Sequence, residues 1–309
     1  MSRRIEIVEV GPRDGLQNEK TVLSVEDRAA FVRMLEAAGA RRIEAVSFVH
    51  PKYVPQMAGA EEVMALLPPA PGRSRIGLVL NEKGWDRAVA CGVDEANVSL
   101  SASEGFARAN ANMSVRDQLD MLSRIVERAH NMTGAGGGAG PSLSATLSVV
   151  WGCPFDGEIA VDRVAAIVAE IGAMGVREIG LADTIGVGDP WAVRRVVEAA
   201  RKAAPDAVLR LHFHDTRNTG LANAYAGVEA GVDVLDASAG GIGGCPFAPN
   251  ATGNIATEDL VYMLERGGFE TGYDLDALIA AARWVGDRLG KPAPSKLSKA
   301  GGFPKPREA

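Results

Sequence analysis

The sequence predicts an α/β protein with a parallel (β/α)8 TIM barrel and an extra C-terminal helix. Short runs rich in β-branched residues alternate with longer amphipathic runs along the 309 residues, which is typical of βαβ units and a parallel sheet. A chain of this length is common for a single α/β barrel. Glycine stands just past four of the amphipathic runs, where a left-handed residue often ends a helix: Gly39, Gly92, Gly175 and Gly231.

Eight strands are predicted where runs of Val, Ile and Leu are bounded by turn residues. In chain order they are residues 5–10, 42–48, 75–80, 96–101, 143–150, 178–182, 209–214 and 234–238. Eight helices are predicted between and after them, where apolar residues recur three and four positions apart. These are residues 24–38, 60–67, 83–90, 115–131, 161–174, 191–204, 221–230 and 257–266.

Two segments follow the eight repeats. Residues 275–289 have helical spacing of apolar side chains, including Leu278 and Trp284, and such a helix fits over a barrel end or in the contact of a homodimer or larger homo-oligomer. The stretch "KPAPSKLSKAGGFPKPREA" is basic and rich in Pro and Gly, which predicts mobility. We therefore divide the chain into a catalytic barrel at 1–270, an extra packed helix at 271–291 and a mobile basic tail at 292–309.

Composition excludes several classes of partner. Hydrophobic residues make up 47% and charged residues 23%, with a net charge of -6 and a pI near 5.4, so neither nucleic acid nor a membrane surface is expected as a partner. The N-terminus "MSRRIEIVEVG" has no apolar targeting segment. Three widely spaced cysteines, Cys91, Cys153 and Cys245, suit a reducing compartment. We expect a cytoplasmic location and a small-molecule substrate.

Two histidines lie together at the end of the seventh predicted strand. His212 and His214 stand two residues apart in "LHFHD", so their side chains point to the same face of the strand. A histidine in a strand is often only a hydrogen-bonded core residue. In a barrel of this class, however, the carboxyl ends of the strands carry the active site, which makes this pair a candidate for metal binding.

Polar residues stand at other strand ends too. The first strand leads into "GPRDG" with Arg13 and Asp14, the second contains Glu44, and the sixth ends at Asp183. Alone, the first of these motifs would be an ordinary turn. The last strand leads into the glycine-rich "SAGGIGGCPFAPNATGN", which contains Cys245 and Asn254. Imidazole, carboxylate and amide groups together suit Mg²⁺ or Mn²⁺ better than structural zinc.

Six motifs then show a resemblance that covers nearly the whole chain. They are "VEVGPRDGLQNEK", "IEAVSFVHPKYVPQMA", "GCPFDGEI", "LADTIGVGDP", "LHFHDTRNTGLANAYAGVEAG" and "GGIGGCPFAPNATGNIATEDLVYML". Together they resemble the 3-hydroxy-3-methylglutaryl-CoA lyase family, which belongs to the metal-dependent TIM-barrel lyases with an Asp-Arg-Glu signature. The resemblance implies a retro-Claisen lyase that uses Mg²⁺ or Mn²⁺, takes coenzyme A as part of its substrate and acts in leucine degradation or ketone-body formation.

The resemblance also implies roles for individual residues. The metal ligands would be Asp14, His212, His214 and Asn254. Arg13 would stabilise the enolate, Cys245 would be the catalytic cysteine, and Glu44 and Asp183 would support the site. For the proton of the substrate hydroxyl, Asp14, His212 and a metal-bound hydroxide all remain open as acceptors. The motif "GCPF" occurs twice, and only the second copy lies in a glycine-rich loop able to close over substrate. Cys153 is therefore expected to line the barrel mouth.

Binding of coenzyme A leaves no phosphate-loop motif in the sequence. The phosphates would have to meet cations at the barrel rim, and the candidates are Lys20, Lys52, Lys83 and Arg108. Three features depart from the family pattern: His50 in "SFVHPK", Trp151 before "GCPF", and the loop "SAGGIGGCPF". They leave open a related 3-hydroxyacyl-CoA lyase with a citramalyl-CoA-like or longer branched substrate.

Two other functional classes are compatible with a barrel. A metal hydrolase also uses two histidines on a strand, but in amidohydrolase-like barrels that pair belongs to the first strand, whereas here it is on the seventh. A non-catalytic scaffold would be expected to have lost at least one of the implied active-site residues. The sequence retains them all, which favours the lyase, although fold alone does not decide function.

Overall fold

The computed structural model describes residues 2–134, 140–244 and 253–304. Cys245 and residues 305–309 of the predicted tail therefore lie outside the described residues. Eight parallel strands form a closed barrel in which strands one to eight are neighbours in chain order and the eighth pairs with the first. The predicted fold class is confirmed. The barrel strands are Glu6–Glu9, Arg42–Ser47, Ser74–Val79, Glu95–Ser101, Ser142–Ser148, Glu178–Asp183, Val208–Phe213 and Val234–Ala237.

Helices surround the barrel and bury their apolar sides against the outer face of the sheet. Those predicted from the sequence are Val25–Ala37, Ala60–Ala65, Glu82–Cys91, Val115–Gly134, Val161–Ala173, Pro190–Ala203, Gly220–Glu229, Thr257–Arg266 and Leu275–Leu289. The main core lies between sheet and helices, with side chains such as Phe31, Trp85 and Ile179 fully buried. In the part of the chain that the structure describes, no helix is both long and apolar enough to cross a membrane.

Elements at the carboxyl end of the barrel add to the predicted pattern. Gly11–Gly15 forms a single π-helical turn, Glu104–Ala111 forms a helix, and a hairpin joins Gly152–Cys153 to Gly157–Glu158. The hairpin is fastened to the helix, because the Asp156 carboxylate accepts a hydrogen bond from the Gly105 amide at 2.7 Å. These three elements build the wall around the mouth of the barrel.

The extra helix Leu275–Leu289 packs beside the first and the eighth predicted helices, and Trp284 stacks on Phe31 with ring centroids 6.0 Å apart. The tail beyond it differs from the mobile segment that the sequence predicts. Leu297–Ala300 is a short helix, the Ser295 amide donates to the Gly240 carbonyl at 3.1 Å, and Ser298 is buried. With the Asp259 carboxylate, which accepts the amides of Lys296 and Leu297, these contacts attach residues 295–298 to the rest of the fold, which composition alone does not reveal.

Candidate active site

A cavity of about 950 Å³ opens at the carboxyl end of the barrel. At its deep end, Arg13 and Asp14 arrive on the π-helical turn after the first strand, and His212 and His214 arrive at the end of the seventh strand. Such π-helical turns are frequent at functional sites. All four of these side chains line one cavity.

Three of the predicted metal ligands form a compact cluster. One ligand atom each from Asp14, His212 and His214 lies within 4.8 Å of the others. Asp14 Oδ2 is 3.6 Å from His214 Nε2 and 3.9 Å from His212 Nε2. Asn254 joins them, because its Nδ2 donates to Asp14 Oδ2 at 2.9 Å. The four side chains therefore lie next to one another around Asp14 Oδ2.

Two buried atoms in this cluster have no hydrogen-bond partner among the described residues, Asn254 Oδ1 and His214 Nδ1. An unsatisfied buried polar atom costs about 1–3 kcal/mol, so each needs a partner that the protein does not supply. Asn254 Oδ1 is a hard oxygen donor beside a carboxylate and two imidazoles. This mixed set of oxygen and nitrogen atoms fits a divalent cation such as Mg²⁺ or Mn²⁺.

Arg13 is fixed between two carboxylates. Its Nε donates to Glu44 Oε2 at 2.6 Å, its Nη2 forms an ion pair with the same oxygen, and its Nη1 donates to Asp14 Oδ1 at 2.7 Å. Burial alone would lower the pKa of Arg13, but the charges of Glu44 and Asp14 outweigh it and raise this pKa above its ordinary value. The guanidinium is thus a permanently charged, oriented group in the cavity.

The charges around Asp14 act in the opposite direction on its own carboxyl group. Burial alone would raise the pKa of Asp14, but the Arg13 charge and the two histidines together hold it well below its ordinary range. Asp14 is therefore ionised at neutral pH, which a hard cation requires of a carboxylate ligand.

Glu44 and Asp183 both act behind the cavity. Glu44 is buried, sits at a register irregularity of the second strand and accepts a hydrogen bond from Asn97 as well as from Arg13. Asp183 does not line the cavity. Its carboxylate accepts the amides of Val187 and Gly188 at 2.9 and 2.8 Å, and burial raises its pKa. It shapes the loop after the sixth strand.

The sequence missed several polar residues that line the cavity, including Asp236, Asn97 and Thr146. Asp236 lies in the eighth strand, one residue before its end, and its Oδ2 is 3.2 Å from His212 Nδ1. A usable signal was present: the fourth and fifth strands read "NVSLS" and "SLSATLS", and polar residues in strands covered by helices outside must face the interior.

The remaining predicted residues lie at the rim or outside the described chain. Cys245 belongs to the latter group, although Gly244 before it lines the cavity and its carbonyl accepts from Asn18 Nδ2 at 2.8 Å. The predicted coenzyme A contacts do not line the cavity in the described structure and are all exposed: Lys20, Lys52, Lys83 and Arg108. Cys153 is buried and accepts from Ser103 Oγ at 2.9 Å.

Of the three departures from the family pattern, His50 and the loop residue Gly244 line the cavity in the described structure. The His50 ring lies 5.5 Å from that of Tyr53, which is 78% exposed, and its Nδ1 accepts a hydrogen bond from the Lys52 amide. Trp151 is buried against Phe213 instead. The rim therefore presents an aromatic pair to whatever enters the cavity.

Comparisons with known proteins agree with the motifs. A family model described as HMGL-like matches residues 4–285. The chain is 42% identical over 302 residues to the 3-hydroxy-3-isohexenylglutaryl-CoA/hydroxy-methylglutaryl-CoA lyase of Pseudomonas aeruginosa, covering 97% of this chain and 98% of that protein. It is 40% identical over 294 residues to the hydroxymethylglutaryl-CoA lyase YngG of Bacillus subtilis, covering 95% and 96%.

Among solved structures, the chain is similar to an HMG-CoA lyase from Acinetobacter baumannii in complex with coenzyme A and 3-methylmalate. The two share 39% sequence identity and a TM-score of 0.90, and the match covers 98% of each chain. The resemblance inferred from the six motifs is therefore confirmed at the level of the family.

Proposed function

Because this chain belongs to the HMGL-like family, we propose that it is a divalent-metal-dependent lyase that cleaves 3-hydroxy-3-methylglutaryl-CoA into acetyl-CoA and acetoacetate. The observation that carries the proposal is the cluster of Asp14, His212 and His214 directly beside Arg13 in one cavity. The family alone gives the reaction class. The cluster gives this chain the groups that the reaction needs.

We propose Asp14, His212, His214 and Asn254 as the residues that would hold the cation. Bound there, a divalent cation would supply Lewis acidity toward the 3-hydroxyl and a carboxylate of the substrate. The low pKa of Asp14 makes its carboxylate a weak base, so we assign it to the cation rather than to proton transfer. His212 is also assigned to the cation, because its Nε2 belongs to the same cluster and lies 3.9 Å from Asp14 Oδ2.

In the cleavage, the 3-hydroxyl would give its proton to a hydroxide ion in the cavity, the C2–C3 bond would break, and negative charge would move onto the thioester oxygen. Arg13 would stabilise this charge, because its guanidinium is already oriented by Glu44 and Asp14 and a preorganised donor lowers the barrier where charge develops. Glu44 would keep Arg13 in position. Cys245, which follows the cavity residue Gly244, would deliver a proton to the enolate carbon.

We propose that the nucleotide end of coenzyme A is met at the cavity rim. The aromatic pair His50 and Tyr53 offers an exposed face for stacking. Lys52 lies between them in the sequence, and Lys20, Lys83 and Arg108 stand within two residues of other cavity residues. Exposed cations of this kind suit phosphate groups at the mouth of a site.

The alternative substrate, a citramalyl-CoA-like or longer branched acyl-CoA, is not favoured by the relatives, whose names share hydroxymethylglutaryl-CoA. One relative is named for a longer branched substrate as well. Both kinds of thioester therefore belong in a direct test of the proposal.

The test measures product formation from 3-hydroxy-3-methylglutaryl-CoA and from citramalyl-CoA, with added Mg²⁺ or Mn²⁺ and with chelator. We expect acetyl-CoA and acetoacetate from the first substrate, loss of activity with chelator and recovery with either metal. His214→Ala should weaken metal affinity. Full turnover in a metal-stripped sample would rule out the proposed metal site, and turnover of citramalyl-CoA alone would make the alternative the better assignment.

Two further proposals concern the molecule in the cell. We propose a cytoplasmic location, which suits the few and widely spaced cysteines of the sequence and is testable by fractionation. We also propose a homodimer or larger homo-oligomer, for which the helix Leu275–Leu289 is a candidate contact. Light scattering with the wild-type protein measures the oligomeric state directly.

A further inference from the structure

The interior of the barrel contains a chain of charged side chains below the metal cluster, which the proposed reaction does not use. Arg42 contacts Glu178 and Glu95 at 2.8 Å. Arg210 Nε then lies 3.5 Å from Glu178 Oε1 and 3.5 Å from Asp236 Oδ1. Asp236 ends this chain, and its other oxygen lies 3.2 Å from His212 Nδ1.

The sheet itself sets the contact between Asp236 and His212. These two residues are register partners on the seventh and eighth strands, so their side chains point into the barrel side by side. Both are buried, and Arg210 behind them is 1% exposed. Neither side chain can turn away into solvent, and the pair is held as one unit.

The chemistry of the pair determines which nitrogen of His212 carries the proton. A carboxylate oxygen that faces an imidazole nitrogen acts as the hydrogen-bond acceptor, and the other oxygen of Asp236 faces the guanidinium of Arg210 at 3.5 Å. His212 Nδ1 must therefore be the donor. Its Nε2, which lies on the side of Asp14 at 3.9 Å, is then left with a free lone pair.

His214 offers a comparison within the same site. Its Nε2 faces Asp14 at 3.6 Å, but its Nδ1 is buried and has no hydrogen-bond partner among the described residues. The two imidazoles of the cluster thus differ at Nδ1, where His212 has a carboxylate partner and His214 has none.

We propose that Asp236, held by Arg210, is a positioning residue that selects the Nδ1–H tautomer of His212 and aims Nε2 at the divalent cation. The inference rests on the proposed metal site. Partners of this kind behind a metal-binding histidine typically change metal affinity by about 10- to 100-fold.

A purely structural role for Asp236 must be separated from this one. Asp236 also balances the buried charge of Arg210, and removing one partner of a buried ion pair is destabilising whatever the site does. Glu178 is the matched control, because it contacts the same Arg210 and also Arg42 but has no contact with either histidine in the described structure.

The variants are Asp236→Asn and Glu178→Gln in the full chain. In Asp236→Asn, the donor-only guanidinium of Arg210 will attract the amide oxygen, so the amide NH2 faces His212 Nδ1 and favours the opposite tautomer. We expect Mn²⁺ affinity, measured by the paramagnetic resonance of free Mn²⁺, to fall about 10- to 100-fold. Glu178→Gln should keep it within about twofold while thermal unfolding shifts in both variants.

The tautomer of His212 can also be measured directly by NMR, without an activity assay. In metal-free wild-type protein at alkaline pH, long-range ¹H–¹⁵N spectra should show His212 protonated at Nδ1, with the resonance assigned by its loss in His212→Ala. A proton on Nε2 would overturn the proposal, as would equal losses of Mn²⁺ affinity in both carboxylate variants or none in Asp236→Asn. If wild-type protein binds no Mn²⁺, the proposed function fails instead.

Discussion

At the scale of single residues, Arg13 is the group whose surroundings say most about catalysis. Two carboxylates fix its guanidinium, and its side chain is only 11% exposed. A cation held this firmly does not need to reorganise when charge appears nearby, which is the condition for strong transition-state stabilisation. Arg13 also forms an ion pair with Asp14, so its charge influences the proposed metal site as well.

Replacing Arg13 by Met should lower kcat much more than it raises KM, because the lost interaction belongs mainly to the transition state. The expected loss is on the order of 10²- to 10³-fold. Arg13→Lys should recover little, since lysine keeps the charge without the planar fork that meets Glu44. Single-turnover cleavage, expressed per metal-loaded site, measures the effect.

Glu44→Gln is the control for Arg13, because it keeps the guanidinium and removes the charge that orients it. A smaller loss of kcat than in Arg13→Met is expected. A loss below about tenfold in Arg13→Met, ~1.4 kcal/mol, with lowered stability or metal occupancy instead, would show that Arg13 has a structural role only.

Substitution of the two cysteines in the repeated "GCPF" motif should have clearly different effects on turnover. Cys153→Ser should keep most of the turnover, because its thiol is buried against Ser103 and serine can accept the same hydrogen bond. Cys245→Ser should reduce turnover strongly, since a hydroxyl is a much weaker acid than a thiol. Turnover of both variants at saturating metal tests this, and the reverse ranking would identify Cys153 as the catalytic cysteine.

Local pattern was sufficient to predict the residues that stand at strand ends, namely Arg13, Asp14, His212 and His214. It did not single out Asp236, because "VLDAS" has no feature that distinguishes a carboxylate facing His212 from one facing a helix. That distinction depends on the register between two strands that are far apart in sequence, which no local pattern contains.

At the scale of elements, Asn254 depends on a segment outside the regular sheet. A single antiparallel bridge joins His214 to Asn254, supported by hydrogen bonds from Asp215 N to Gly253 O at 3.0 Å and from Ile255 N to Phe213 O at 3.1 Å. Gly243 packs against the same amide: a Cβ there would lie 2.7 Å from Asn254 Nδ2. Asn254, the fourth proposed ligand, is thus placed by backbone contacts.

Gly243→Ala should therefore weaken divalent metal binding. The new Cβ must displace the Asn254 amide, and the positive φ of 125° at residue 243 adds strain for a residue with a side chain. We expect Mn²⁺ affinity to fall at least about tenfold, as measured by calorimetry, if Asn254 is a ligand.

The control is Gly290→Ala, which has a φ of 69° and no neighbouring atom within 4 Å of the added Cβ. It should cost stability of about 1 kcal/mol through backbone strain alone and leave the metal affinity unchanged. Unchanged metal affinity in Gly243→Ala would remove Asn254 from the proposed ligands.

The elements that the sequence missed are those whose shape comes from long-range contacts. "GPRDG" has the composition of a simple turn, but the Glu9 carboxylate accepts the Gly11 amide and Arg13 pairs with Glu44, and these contacts accompany a π-helical turn. The helix Glu104–Ala111 contains Gly105 and Asn110, which are poor helix formers, and the hairpin packs on its first turn. The long amphipathic helices were predicted from the periodicity of their apolar residues alone.

At the scale of the whole molecule, two buried glutamates join the barrel to the loops that carry the site. Glu9 accepts hydrogen bonds from the amides of Gly11 and Ala239 and from Thr257 Oγ1, at 2.7 to 2.9 Å. Glu258 accepts the Gly240 amide. Burial raises the pKa of each to about 7 from 4.5, although these donors partly oppose the rise. Both carboxyl groups therefore titrate within the physiological range.

The raised pKa values make the stability of the fold depend on pH. A carboxyl group whose pKa is higher in the folded state binds more protons there than in the unfolded chain. Its contribution is complete below pH 4.5 and is lost as pH rises toward 7. Glu9→Gln removes this dependence, so its free energy of unfolding relative to wild type should rise by roughly 3 kcal/mol between pH 4 and pH 8.

Urea unfolding of the metal-free proteins across this pH range measures the difference in free energy of unfolding between Glu9→Gln and wild type. Groups that titrate alike in both proteins do not contribute to this difference. Glu198→Gln is the control, because Glu198 is exposed beside Lys202 and should give a difference that stays flat above pH 5. A flat difference for Glu9→Gln as well would mean that its three donors hold the carboxylate ionised. The Glu9 carboxylate, which connects the barrel to the loops of the site, would then be anionic at every pH at which the enzyme works.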